Sequence, residues 1–189
     1  MDIKIKLSIR HISIKMILCY LVLAMACSCQ NSRFKTKYLN FVRHEINLPD
    51  SLTEVMNGEV FPYYLDGSRP KLIIYNDSTA CSSCRINHLP EYDKLFHLAE
   101  DSGLFDVVIL FCPKPEEYYK VIRDIRLSAS DHSVFVDRGG SFARLNQHIP
   151  SDERFHVFLL NKDRLPTFVG NPLDSDRLWE IFTETILNQ

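Results

Sequence analysis

The stretch KLIIYNDSTACSSC, residues 71–84, decides the fold. It begins with a short apolar run containing two adjacent isoleucines, which predicts a buried strand over Lys71–Asn76. A polar turn follows at residues 77–79, and Cys81 and Cys84 then form a CxxC pair at the start of a segment with helical periodicity. The order of strand, turn, CxxC and helix predicts a βα unit that carries two cysteines at its turn.

The helix after the CxxC pair is predicted to be kinked. Its apolar residues recur at helical spacing, at Ile86, Leu89, Phe96 and Leu98. Pro90 lies inside this segment and removes a backbone hydrogen bond. Gly103 follows the last periodic residues, so we expect the helix to end there.

A second βα unit follows the first. The apolar run Phe105–Phe111 predicts a buried strand, and residues 114–127 predict a helix. Two βα units in succession imply a parallel pair of strands with a right-handed crossover. The other predicted elements are a strand over Phe61–Leu65, a short strand over Ser133–Asp137, a short helix after Gly139-Gly140, an antiparallel hairpin over Phe155–Leu160 and Leu165–Gly170, and a last helix after Asp174-Ser175. The expected fold class is α/β, with a central mixed sheet of about four or five strands flanked by helices.

Composition excludes several other classes of protein. A chain of 189 residues with 46% hydrophobic side chains is long and apolar enough for one packed domain, and it is neither disordered nor low in complexity. The 22 basic and 24 acidic residues leave a net charge of -2. That balance lacks the basic excess that binding to nucleic-acid phosphates requires.

The first part of the chain is predicted to be an export signal. Basic residues precede the uncharged apolar run Met16–Ala26, which is the order found in signal peptides. A run of this length spans roughly 16 Å, about half of the ~30 Å hydrocarbon core, so a transmembrane helix is not expected. The run ends in AMACSCQNS, residues 24–32, which resembles the lipobox of bacterial lipoproteins.

Cys29 is the preferred lipidation site, because small residues fill the three positions before it, whereas Met25 lies two residues before Cys27. Cys27 stays open as the lipidated residue, and an ordinary secretory signal cut near Ala26 is the alternative to a lipoprotein. We therefore expect a lipoprotein anchored in the cell envelope and facing the periplasm. Its predicted parts are a signal peptide over residues 1–28, a tether and N-terminal extension over residues 29–58, and the α/β domain over residues 59–189.

The CxxC pair is the candidate catalytic site. Unpaired amides and the positive end of the dipole at a helix start stabilise a thiolate. Cys81 would then be the attacking nucleophile, and Cys84, one turn later and expected to be more buried, would resolve the mixed disulfide. The spacing does not tell whether the pair works as a reductant or as an oxidant.

Three other interpretations of the cysteines stay open. A structural disulfide is the weakest of them, because so short a loop restricts the unfolded chain little. Cys81, Cys84 and His88 could join Cys112 in a copper or zinc site, although no second CxxC is present. A peroxide-reducing enzyme is less favoured, since residues 78–81 match a Thr-x-x-Cys arrangement only in part.

Residues from about 60 to 187 resemble the thioredoxin-like superfamily, especially bacterial membrane-anchored thiol-disulfide oxidoreductases of the TlpA-like and redoxin type. The resemblance depends on KLIIYNDSTACSSC, on the helix interrupted by Pro90, and on FHVFLLNKDRLPTFVGNP, residues 155–172, which is similar to the family's terminal hairpin. It implies a thioredoxin-like fold and exchange with protein thiols or disulfides through Cys81 and Cys84. It further implies an upstream redox partner and no dissociable cofactor.

Two positions depart from the family's pattern. Ala80 stands where an aromatic residue usually precedes the first cysteine. The cis-proline expected opposite the CxxC falls close to Arg154 or Phe155, and Pro150 lies a few residues early. Loss of the proline would change recognition of the substrate backbone, and metal binding by the CxxC stays open as the alternative.

Three further residues have side chains that could take part in chemistry. Asp77 could relay a proton for Cys84, but an Asp after a strand is more often a turn former. Cys112 is interpreted as a small core side chain rather than a resolving cysteine. His88, one turn beyond Cys84, is interpreted as a surface histidine.

Overall fold

A computed structural model describes residues 33–63, 68–128 and 130–189. The predicted signal peptide, Cys27 and Cys29 lie outside these ranges. The chain divides into two compact units, one ending at Asn40 and the other running over Phe41–Gln189. Residues 33–41 form the helix α1. None of the helices in the described ranges is long and apolar enough to cross a membrane.

The second unit is built on one sheet, which contains seven strands within the described residues. Along the sheet the strands follow the order β2-β1-β5-β4-β3-β6-β7. In chain order they are β1 (Leu52–Met56), β2 (Glu59–Tyr63), β3 (Lys71–Asn76), β4 (Asp106–Phe111), β5 (Val134–Val136), β6 (Val157–Leu160) and β7 (Pro166–Val169).

The three central strands are parallel and the outer ones antiparallel. β4 runs parallel to both β3 and β5, whereas β6 runs antiparallel to β3 and β7 antiparallel to β6. On the other side, β1 is antiparallel to both β5 and β2. The predicted mixed sheet is therefore confirmed, and so are the parallel pair and the terminal hairpin.

Local sequence explains the central strand. All six residues of β3 are buried, as expected for an apolar strand covered on both faces. Its first residue, Lys71, is only 4% exposed, and Lys71 Nζ lies 2.9 Å from Asp106 Oδ2. Lys71 and Asp106 are also register partners at the start of β3 and β4. The buried cation is thus paired, as burial of a charge requires.

Helices cover both faces of the sheet. In chain order the α-helices after α1 are α2 (Ser82–Asn87), α3 (Asp93–Ser102), α4 (Tyr118–Leu127), α5 (Ser141–Leu145) and α6 (Asp176–Leu187). Leu72 and Ile74 face one side, in a core cluster with residues of α3, α4 and α6. On the other side Tyr75 contacts Phe142 of α5, with 5.0 Å between ring centroids. Alternate residues of β3 therefore pack against different helices.

The helix after the CxxC pair is interrupted where proline predicts it. α2 ends at Asn87, a 3-10 turn spans Leu89–Tyr92, and α3 continues from Asp93. Gly103 ends α3 in the left-handed region, with φ at 64°. Both features follow from the backbone chemistry of single residues, Pro90 and Gly103.

The sheet is wider than the sequence predicted. It has seven strands within the described residues, where about four or five were expected. One of them, β1, was not predicted as a strand and lies in the segment interpreted as an N-terminal extension. Asn57 and Gly58 join β1 to β2 with φ values of 50° and 75°, the geometry of a two-residue hairpin turn. β1 also pairs with β5, so its place in the sheet depends on a strand that is distant in sequence. The strand predicted over Phe61–Leu65 appears as β2, and residues 64–67 are not described.

The central connectivity defines the fold. β3, the helices α2 and α3, and β4 form a parallel unit, and the β6–β7 hairpin followed by α6 completes the sheet on the other side of β3. The order β4-β3-β6-β7, with the CxxC after the turn that follows β3, is that of the thioredoxin-like fold. The expected fold class is confirmed.

Candidate functional site

Cys81 and Cys84 form a disulfide at the start of α2, with 5.3 Å between their Cα atoms. Cys81 is the N-cap residue, and its Sγ accepts a hydrogen bond from the Cys84 amide at 3.3 Å. Its carbonyl oxygen accepts the first helical hydrogen bond, from the Arg85 amide at 3.0 Å. The attacking position of the predicted pair thus lies where a helix presents unpaired amides.

Both cysteines of the pair are exposed. Cys84 was expected to be more buried than Cys81, but it is exposed as well. The residue that α2 buries is Ile86, two positions after Cys84. Residues two apart lie on nearly opposite faces of a helix, so burying Ile86 turns Cys84 towards solvent.

The turn before the disulfide is organised by Asp77. Its Oδ1 accepts hydrogen bonds from the Thr79 amide at 2.8 Å, from Thr79 Oγ1 at 2.7 Å and from the Ala80 amide at 3.1 Å. Burial acts to raise the pKa of the Asp77 carboxyl, but these hydrogen bonds outweigh it and lower the pKa. Asp77 is therefore a charged turn former, as the sequence favoured.

The loop facing this turn carries a 3-10 turn over Glu153–Phe155 and then His156. The Tyr75 amide donates to the His156 carbonyl oxygen at 2.8 Å, which holds the loop beside the end of β3. His156 is buried, and its Nε2 lies 3.1 Å from the Pro150 carbonyl oxygen. No peptide bond in the described ranges is cis. In this loop, where the resemblance implied a cis-proline, the chain has a buried histidine.

A cavity of about 260 Å³ lies between the CxxC helix and this loop. Arg85, which follows Cys84, bridges the two sides through an ion pair with Glu153 at 2.8 Å. The cavity lining includes Ala80, Tyr92 and His156. Sequence analysis missed Arg85 and His156. Arg85 contacts Glu153 and His156 contacts Tyr75, and both partners are far away in the chain.

Cys112 lies behind the disulfide turn, directly after β4, and it is 3% exposed. Its Sγ donates to Asp137 Oδ2 at 3.8 Å. Burial raises the pKa of the Cys112 thiol, and the adjacent Asp137 carboxylate raises it further. The thiol is therefore held in its neutral form, in agreement with the interpretation of Cys112 as a core side chain.

The proposed metal ligands are not brought together. Cys112 is buried beside Asp137, while His88 is exposed and its Nδ1 lies 2.6 Å from Glu91 Oε1. Among the residues that the structure describes, no three His, Cys, Asp or Glu side chains are grouped so as to hold a metal ion. His88 is a surface histidine, as the sequence indicated.

α4 contributes a contact that sequence analysis did not predict. Ser83, between the two cysteines, accepts from Lys120 Nζ at 2.6 Å and donates from its Oγ to Asp124 Oδ2 at 3.2 Å. The four-residue spacing of Lys120 and Asp124 indicates an ion pair on one helix face. Only the packing of α2 on α4 brings that pair to the CxxC.

The chain thus has a thioredoxin-like fold and carries a solvent-exposed CxxC disulfide. A scan of protein-family models and a search of curated proteins find no match. Solved structures with a similar course of the chain include a thioredoxin-like protein from Porphyromonas gingivalis, with 13% identity, a TM-score of 0.44, and 75% of this chain and 90% of that chain covered.

Two further solved structures are similar to the same degree. A candidate protein disulfide isomerase from Bacteroides thetaiotaomicron has 10% identity, a TM-score of 0.47, and coverage of 76% of this chain and 87% of that one. ScoI of Bradyrhizobium japonicum with copper bound has 15% identity, a TM-score of 0.45, and coverage of 74% and 99%. Similarity this low transfers neither a substrate nor a metal to the present chain.

Proposed function

We propose that this protein is a thiol-disulfide oxidoreductase that acts on protein thiols or disulfides through Cys81 and Cys84. The observation that carries the proposal is the exposed disulfide at the start of α2. Disulfide exchange needs a sulfur atom that a second protein can approach in line, and burial of the pair would prevent it. The neutral, buried Cys112 offers no comparable access.

In the reducing direction the chemistry runs through one mixed disulfide. The Cys81 thiolate attacks one sulfur of the substrate disulfide, the substrate bond breaks, and one substrate thiolate leaves and takes up a proton. Cys84, after losing its proton, attacks Cys81 Sγ and releases the second substrate thiol. Two electrons pass from the pair to the substrate, and the Cys81–Cys84 bond forms. The oxidising direction is the same sequence reversed.

The Cys84 amide supports the role of Cys81 as nucleophile. It already points at Cys81 Sγ, at 3.3 Å, in the oxidised protein. When the disulfide is reduced, an amide in this place donates to a thiolate rather than to a neutral sulfur, and such charge-assisted hydrogen bonds are the stronger ones. This contact would lower the pKa of Cys81 and favour attack by its thiolate.

The cavity beside the disulfide is the proposed binding groove for the substrate polypeptide. Its rim carries both signs of charge, from Arg85 and Arg154 on one hand and Glu153 and Asp174 on the other. A groove of this kind suits a polar, extended segment around a cysteine rather than an apolar small molecule.

We further propose that the mature chain is a lipoprotein of the cell envelope. Cys29 would carry the acyl chains after residues 1–28 are removed, and the enzyme would meet its substrates and its redox partner at the membrane surface. The support is the signal-like order of charges and apolar residues before Cys29. Radiolabelled palmitate incorporated by the wild-type chain and by Cys27→Ser but not by Cys29→Ser would identify the site. Labelling that survives Cys29→Ser would contradict it.

The central experiment follows the thiols of the purified protein. With dithiothreitol and then a low-molecular-weight disulfide, alkylation should show Cys81 and Cys84 passing reversibly between two thiols and one disulfide. Cys84→Ser should accumulate a mixed disulfide with a disulfide-containing protein substrate, whereas Cys81→Ser should not. A couple that cannot be cycled, with stoichiometric copper or zinc binding lost in Cys81→Ser, would replace this function by metal binding.

A further inference from the structure

Lys120 and Asp124 share one hydroxyl inside the CxxC. Lys120 Nζ donates to Ser83 Oγ at 2.6 Å, and the same hydroxyl donates to Asp124 Oδ2 at 3.2 Å. Lys120 Nζ and Asp124 Oδ2 also lie 2.8 Å apart. A second helix thereby holds one positive and one negative charge against the loop that joins the two cysteines.

We propose that Lys120 and Asp124 are positioning residues that shift the reduction potential of the Cys81/Cys84 couple in opposite directions, through their common contact with Ser83. The inference rests on the proposed function, since it concerns the same couple. It names the groups that bias the direction of electron flow, which the CxxC spacing alone leaves open.

The charge on the couple differs between its two states. The disulfide is neutral, so neither Lys120 nor Asp124 has a net charge to act on. Reduction adds two electrons, and when Cys81 remains a thiolate only one proton is taken up, by Cys84. The Lys120 ammonium then attracts the new negative charge, and the Asp124 carboxylate repels it.

Stabilisation of the thiolate favours the reduced form and makes the potential less negative. Lys120 therefore shifts the potential in the less negative direction, and Asp124 shifts it in the more negative direction. Because the ion pair itself is present in both states, only its interaction with the cysteines changes on reduction.

The surroundings of Asp124 favour its charged form, and solvent moderates the effect of the pair. The hydrogen bond from Lys120 is the main cause that lowers the pKa of Asp124, and Arg123, at 3.0 Å, adds to it. The side chain of Lys120 is 52% exposed, so water and salt screen its charge. Exposed charge pairs of this kind change an equilibrium constant by small factors.

The test is the glutathione redox equilibrium of the full mature chain. We expect Lys120→Met to shift the equilibrium about threefold towards the disulfide, equal to about 14 mV for two electrons. Asp124→Asn should shift it by a similar factor towards the dithiol. Ultraviolet titration should show the pKa of the Cys81 thiol raised in Lys120→Met and lowered in Asp124→Asn.

Lys162→Met is the matched control, because it removes the same charge at the opposite end of the strands from the disulfide. Lys162 lies in the turn after β6, whose last residue, Leu160, pairs with Lys71 at the start of β3. The disulfide lies beyond the other end of β3. The control should leave both the equilibrium and the thiol pKa unchanged.

Two further measurements separate electrostatics from loss of structure. In a Ser83→Ala background both shifts should shrink if the hydroxyl couples the charges to the cysteines. In 1 M salt, where the screening length falls to about 3 Å, the difference between wild type and Lys120→Met should shrink as well. The salt measurement also serves if Asp124→Asn proves unstable.

The outcomes are distinct. A wild-type couple that does not equilibrate with glutathione contradicts the proposed function itself. A wild-type couple that equilibrates while both variants shift in the same direction, or neither shifts, contradicts only the role of Lys120 and Asp124. Opposite shifts that salt weakens support it.

Discussion

Cys81 and Cys112 follow neighbouring parallel strands, yet their surroundings are opposite. β3 and β4 pair in register as far as Asn76 and Phe111. Cys112 comes directly after β4, and its amide donates to the Asn76 carbonyl oxygen at 2.8 Å, which continues the pairing. Cys81 comes only after the Asp77 turn and is exposed. The two cysteines therefore differ in surroundings because a turn separates Cys81 from its strand, whereas no residue separates Cys112 from its strand.

The position of each cysteine after its strand sets the surroundings of its sulfur. A cysteine still within the sheet's hydrogen bonding is enclosed by the core, and burial together with Asp137 raises its pKa. A cysteine placed beyond a turn reaches the start of the next helix, where amides stabilise a thiolate. Residue type is the same in both cases, so reactivity depends on the backbone that carries it.

The largest effect is expected in alkylation of the reduced native protein. Iodoacetamide should modify Cys81 at least about a thousandfold faster than Cys112, because Cys112 reacts only after an opening that costs several kcal/mol. Mass spectrometry of timed samples measures both rates in one chain, and Cys112→Ser, whose Cys81 rate should be unchanged, is the control. Similar rates at the two sites would show that Cys112 is as accessible to the reagent as Cys81.

The next largest effect is expected on the free energy of unfolding when Asp137, the hydrogen-bond partner of Cys112, is replaced. Its oxygens also accept from the Phe142 amide at 2.7 Å and the Gly139 amide at 3.1 Å. Asp137→Asn turns an NH2 group towards some of these donors, so we expect unfolding free energy to fall by about 2 kcal/mol. Urea denaturation measures it. The exposed Asp131→Asn is the control, and an equal loss there would remove any special role for Asp137.

A smaller effect should appear at alkaline pH. The pKa of Cys112 is raised in the folded state, so above about pH 9, the ordinary value for the thiol, only the unfolded chain releases its proton. Folded stability from this group is therefore complete below pH 9 and is lost as pH rises. At pH 10 wild type should lose about 1.4 kcal/mol relative to Cys112→Ala. Urea denaturation of wild type and Cys112→Ala at pH 8 and pH 10 measures this difference. Its absence would contradict the raised pKa of Cys112.

The smallest effect is expected at the β1–β2 hairpin, which lies at the edge of the sheet and contains neither Cys81 nor Cys112. Gly58 has a φ of 75°, so Gly58→Ala should cost about 1 kcal/mol of stability. It should leave the alkylation rates of Cys81 and Cys112 within about twofold. Gly139→Ala, whose added Cβ would make only ordinary contact with Arg144, is the control. A changed rate at Cys81 would show that the edge and the site are coupled.

The elements that sequence predicted best are those with a local cause. The bounds of β3 follow from one apolar run, the break after α2 from Pro90, and the end of α3 from Gly103. β1 was missed although Asn57-Gly58 is a strong local signal for a hairpin. Its short, partly polar strand gives little periodicity, and its place in the sheet depends on pairing with β5.

Of the candidate site, the sequence predicted the cysteine pair at the start of a helix but not its surroundings. CxxC spacing identified Cys81 and Cys84, but it did not predict the exposure of Cys84, which depends on the face that Ile86 buries. Asp137 beside Cys112 and Lys120 beside Ser83 are contacts between distant segments. A single sequence shows the residue types of such partners without showing that the fold brings them together.

The ion pair between Lys71 and Asp106 favours one register between the central strands β3 and β4. If β4 slipped by one residue along β3, the lysine would be sealed in the interior opposite an apolar side chain, and the cost would be that of a buried, unpaired charge. Misaligned pairings are thus penalised at the end of the strands remote from the sulfur atoms. The ion pair at one end of β3 and β4 thereby helps to fix the register that positions the disulfide at the other end.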